Sequence, residues 1–110
     1  MGYTYSSVSK SGAATIDGST SLYLITATGN ITSLSFTTAV PLDCHSCHCI
    51  ITASSAYTLA IAHNGTVTIG GVTYTFKCPE AANISLTLKA NGYLEVDFLR
   101  IGTNIYVRGV

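Results

Sequence analysis

The chain has 110 residues, 47% of them hydrophobic and only 9% charged, with a formal net charge of zero. That length suits one domain, residues 1–110, with one modest core, and the charged fraction is far below the roughly one quarter usual in soluble domains. Without clustered Lys and Arg to grip phosphates, nucleic acid is a poor partner; no apolar run approaches the roughly 20 residues of a spanning helix, which argues against membrane insertion.

Taken in chain order, the pattern is of strands and turns with little sign of a helix. Met1 to Ser7 lacks the basic and apolar pattern of a secretory leader, so synthesis in a cytoplasm is expected. Residues 1–10 suit an extended arm, on which Tyr3 and Tyr5 share a face and are candidates for docking on a neighbouring subunit. Ala14–Ile16 and Leu22, Leu24 and Thr26 form the next strands, separated by Asp17-Gly18, and Gly29-Asn30 reads as a reversal before Ile31, Leu34 and Phe36. Pro41 closes that run.

Alternation resumes with Cys47, Cys49, Ile51 and Ala53 on one face and His48, Ile50 and Thr52 on the other. Tyr57, Leu59 and Ile61 follow a Ser54-Ser55 turn. Gly70-Gly71 between Val67–Ile69 and Val72–Phe76 is a two-residue hairpin signal, because glycine reaches positive φ without steric cost. Ile84–Leu88 alternates again, Asn91-Gly92 marks a tight reversal, and Leu94, Val96 and Phe98 share one face while Glu95 and Asp97 take the other. Gly102-Thr103-Asn104 then turns the chain into Ile105-Tyr106-Val107. The expectation is an antiparallel β-sandwich, jelly-roll-like or Greek-key, of about nine or ten short strands.

Cys44, His45, Cys47, His48 and Cys49 form the one local cluster with chemical potential. Thiolates and imidazoles are preferred zinc ligands, and Cys78 is a candidate fourth ligand beside Cys44, Cys47 and Cys49. Three readings stay open: Cys47 and Cys49 packed in the core, a zinc site, or a disulfide from Cys44 or Cys49 to Cys78. A Cys–His nucleophile pair lacks an evident group to orient the imidazole. Glu95 and Asp97 at i, i+2 suit calcium or acid–base chemistry, but the ordinary reading is the wet side of an exposed strand, with Arg100 pairing to one of them.

The order Ile16-Asp17, Gly29-Asn30-Ile31-Thr32-Ser33-Leu34-Ser35-Phe36, Pro41, Ile50-Ile51-Thr52, Leu94-Glu95-Val96-Asp97-Phe98 and Gly102-Thr103-Asn104-Ile105-Tyr106-Val107 resembles a β-sandwich domain of tailed-bacteriophage virion proteins, of the capsid-decoration, head-fibre and distal tail-fibre type. The Cys44 to Cys49 loop departs from that pattern, which has a glycine-bearing turn there. The resemblance implies a non-enzymatic structural protein, in the virion and assembled in the host bacterial cytoplasm, acting as a homo-oligomer, typically a trimer, beside other virion proteins. The alternatives are a stand-alone module binding a cell-surface glycan or other receptor through Tyr and Asn side chains, and a small zinc-stabilised domain.

Overall fold

The computed structural model describes residues 5–109. Nine strands are formed: β1 (Ser6–Ile16), β2 (Leu22–Phe36), β3 (Ser46–Thr52), β4 (Tyr57–Ile61), β5 (Thr66–Ile69), β6 (Val72–Lys77), β7 (Ile84–Leu88), β8 (Tyr93–Ile101) and β9 (Asn104–Gly109). They make one mixed, strongly curled half-barrel sheet in the order β5-β6-β9-β8-β3-β2-β4-β7, with β1 added on β2. This overturns the antiparallel sandwich, jelly-roll or Greek-key. The pairs β1–β2, β2–β3, β2–β4 and β6–β9 are parallel.

The curl follows from chain lengths. Parallel neighbours normally need a crossover of about a dozen residues or more, yet only residues 17–21 separate β1 from β2. A straight strand the length of β1, which has 11 residues, would span about 36 Å, beyond the reach of so short a link. β1 therefore bends back on itself, with Gly12 at φ 65° in the bend, and its end returns to the start of β2. There the Asp17 amide donates to the Tyr23 hydroxyl at 3.0 Å. Gly18 donates to the Ala39 carbonyl at 2.8 Å, an approach so close that a Cβ on Gly18 would lie 2.7 Å from that oxygen.

β2 does not reverse at Gly29-Asn30 as expected. It runs through, laying its first half on β3 and its second on β4, while the Asn30 side chain accepts from the Thr58 amide at 3.0 Å. Asn91, at φ 62°, does turn the chain, but β7 and β8 do not pair with each other: β7 lies antiparallel on β4 and β8 antiparallel on β3. The glycine turns Gly70-Gly71 and Gly102-Thr103 close the β5–β6 and β8–β9 hairpins, with Ile69 opposite Val72 and Ile101 opposite Asn104.

Inside the curl, alternate residues build one core. Phe98, Ile25, Ile31, Leu34, Ile51, Leu59, Ile105 and Val96 are among its fully buried side chains, and no described polar or charged residue is buried with them. Phe36 and Phe98 meet edge to face with ring centres 5.0 Å apart, and Phe76 joins at 6.0 and 5.9 Å. Such aromatic pairs add about 0.5–1.5 kcal/mol each beyond the area they bury.

Candidate functional site

The six residues of the expected metal set are distributed over three environments. Cys47 and Cys49 point into the core from β3, opposite Phe98 and Val96, and are fully buried. The hydrogen bond shared with Cys47, and then burial, push the Cys49 thiol well above its usual range. Cys44 is exposed, at φ 64° in the turn before β3, where His45 turns its Nδ1 to the Asp43 carbonyl at 3.0 Å. Cys78 is buried at the end of β6; its amide donates to Nδ1 of His63 at 3.0 Å, and burial raises its thiol. All four are free thiols. Among the described residues no group of three or more His, Cys, Asp and Glu is arranged to hold a metal ion.

His48 leaves the cysteines altogether. As the residue between Cys47 and Cys49 it must face outward, and the β3–β8 register sets it opposite Asp97, with Ile50 opposite Glu95. Nδ1 of His48 lies 2.6 Å from Asp97 Oδ1 and Nε2 lies 3.1 Å from Glu95 Oε1. Both nitrogens can donate at once only in the imidazolium form. The hydrogen bond to Asp97, ahead of the one to Glu95, holds the His48 pKa above its ordinary value, against the opposing effect of burial. Arg108 on β9 completes the row, its Nη2 3.5 Å from Asp97 Oδ2, so Arg108 and, when protonated, His48 face two carboxylates on a half-wet surface. With both ring nitrogens engaged, His48 is a cross-strand clamp rather than a free base.

Arg100 does not join this network as expected. It lies on the opposite phase of β8, where its guanidinium donates to the carbonyls of Gly102 at 2.8 Å and Pro41 at 3.2 Å and rests 4.9 Å from the centre of the Tyr74 ring. Asp43 accepts from the Gly102 amide at 2.8 Å, tying the turn before β3 to the β8–β9 hairpin; that bond foremost keeps its carboxyl below the usual range. Arg108 is the member of this row that no motif in the sequence singles out. A two-residue hairpin at Gly102-Thr103 sets Ile101 opposite Asn104, and counting back along both strands sets Asp97 opposite Arg108.

The same outer face carries apolar side chains on either side of the charged row. Leu99 lies opposite Tyr106 on the β8–β9 hairpin, and Leu99, Tyr106 and Ile101 are 38%, 46% and 51% exposed. A hollow of about 350 Å³ opens beside them, lined by Ser46, Asp97, Leu99, Tyr106, Val107 and Arg108. Toward β1, Tyr5, Leu22, Tyr23, Leu24 and Ile50 line a smaller, almost wholly apolar depression. Tyr5 is thus exposed beside an apolar surface, while Tyr3 lies outside the described residues. Comparison with known proteins returns no matching family model, no matching characterised protein and no matching solved structure.

Proposed function

We propose that this chain is a non-enzymatic assembly protein that works through contacts between subunits, and that its assembly is the virion of a tailed phage, as a capsid-attached decoration or fibre component. The observation that carries the assembly reading is the exposed Leu99, Ile101 and Tyr106 group on the β8–β9 hairpin. Exposed apolar side chains grouped on one sheet face and bordered by polar residues favour a protein contact. The virion context rests on the sequence resemblance. The curled sheet departs from the sandwich of that family, so the surface and not the fold supports the reading. A three-fold assembly of the kind the resemblance implies would use this face.

The test is mass spectrometry of gradient-purified phage particles from the source of the chain. A stoichiometric band of this protein in the particles is the expected result, and its absence from them overturns the virion context. The hollow beside Tyr106 favours one second reading, a pyranose-binding module: an exposed aromatic ring with Ser46, Asp97 and Arg108 around it suits a sugar face and its hydroxyls. Tyrosine fluorescence titrated with simple methyl glycosides separates the two, since a saturable change lost in Tyr106→Ala belongs to the binding module.

A further inference from the structure

The sheet ends on one side in β1, which pairs only with β2, and only through one of its edges, among the described residues. The other terminal strands are short, with β5 at 4 residues and β7 at 5, against 11 for β1. The β1 edge has no proline and a single charge, Lys10. Such an edge is a template for another strand unless something covers it.

We propose that the free edge of β1 is covered by β1 of a second copy, antiparallel, about a two-fold axis through Ser11. A two-fold axis at Ser11 reverses the strand direction while keeping the sense of its curvature; each bend at Gly12 then lies opposite Lys10 of the other copy, and the regular halves on either side of it, residues 6–10 and 13–16, run alongside one another. The register is self-complementary. In an antiparallel pair, residues directly opposite share a face. The axis at Ser11 sets Ser7 opposite Thr15, Ser9 opposite Ala13 and Ser11 opposite itself, and all five of these residues are exposed. The same register sets Val8 opposite Ala14 and Ser6 opposite Ile16, on the inward phase in which Ala14 and Ile16 are buried. Lys10 falls opposite Gly12, so no like charges meet. Neither β5 nor β7 is long enough to satisfy as many ladder groups. The inference rests on the assembly part of the reading above and not on its virion context.

The contact fixes even-numbered assemblies: a dimer by itself, or a hexamer where a three-fold contact also forms. Light scattering on the purified full chain, at two concentrations, reads it. Ser7→Lys with Thr15→Lys sets like charges directly opposite each other at two symmetric places and is expected to halve the mass. Ser7→Lys with Thr15→Glu sets opposite charges at the same places and is expected to keep the wild-type mass. Far-ultraviolet circular dichroism on each variant verifies that the strands persist, as expected for two exposed positions. A monomeric wild type overturns both this contact and the assembly reading. An oligomer whose mass ignores the double lysine, or dissociates equally with the Lys–Glu combination, overturns this contact while leaving the assembly reading in place.

Discussion

His48 on β3 and Asp97 on β8 stand directly opposite one another, with Nδ1 2.6 Å from Oδ1. Because the folded protein raises the His48 pKa above 6.5, the clamp stabilises fully below the unfolded value of about 6.5 and is lost as pH rises through the folded value. Urea unfolding across pH 5.5 to 8.5, a window of about three units around the His reference, is expected to show the midpoint falling with pH in this window. His48→Gln removes that slope and costs about 1 kcal/mol at the acidic end, a modest figure because the group is partly exposed.

The thiols should sort by position. Iodoacetamide on the native protein is expected to modify Cys44 within minutes and leave Cys47, Cys49 and Cys78 intact until urea opens the fold, as intact-mass spectrometry will count. A chelator is expected to leave the unfolding midpoint where it was, since Cys44, Cys47, Cys49 and Cys78 converge on no common point.

Phe98 is the centre of the aromatic group and is fully buried. Phe98→Ala is expected to cost about 3–5 kcal/mol by loss of transfer energy and creation of a cavity. Ile101→Ser, on the exposed patch, is expected to stay within about 0.5 kcal/mol in the same urea experiment while weakening whatever association that face supports.

Gly18 is the steric test of the return from β1 to β2. In Gly18→Ala the new methyl would lie 2.7 Å from the Ala39 oxygen and 2.8 Å from Pro41, so the backbone must part and the Gly18–Ala39 hydrogen bond lengthen. A loss of about 1–3 kcal/mol is expected, of the size seen for overpacking. A midpoint equal to wild type would mean that this close approach is absent in solution.

Local chemistry made the strands and their faces readable, but not the sheet they build. Alternation set Cys47, Cys49, Ile51 and Ala53 on one face and His48 on the other, and the fold buries the first face; the turn residues Gly70-Gly71 and Gly102-Thr103 marked two hairpins that form. What alternation does not carry is the identity of a strand's neighbour. Period two assigns a face to each side chain and says nothing about whether the adjacent strand runs parallel or comes from 47 positions away, as Val96 does for Cys49. Gly29-Asn30 and Asn91-Gly92 have the residues of a reversal and are used instead inside a bending strand and at a corner between unpaired strands. For the same reason the sequence groups His48 with its neighbours Cys47 and Cys49, while its partners Glu95 and Asp97 become visible only through the β3–β8 register. The pairing of Asp97 with Arg108 was within reach, being set by a hairpin of the simplest kind.

The long separation between β3 and β8 matters during synthesis. β3 can lie on β2 as soon as residues to Thr52 have emerged, but its other edge waits until Tyr93–Leu99 are made. At about 5–20 residues per second the wait is a few seconds. Through that interval the edge of Ser46–Thr52, with buried-type residues Cys47, Cys49 and Ile51 along one side, is open to the nascent chains beside it. A chain truncated before β8 never closes it, so the yield of soluble product should depend more sharply on the last twenty residues than on any equal stretch of the first half.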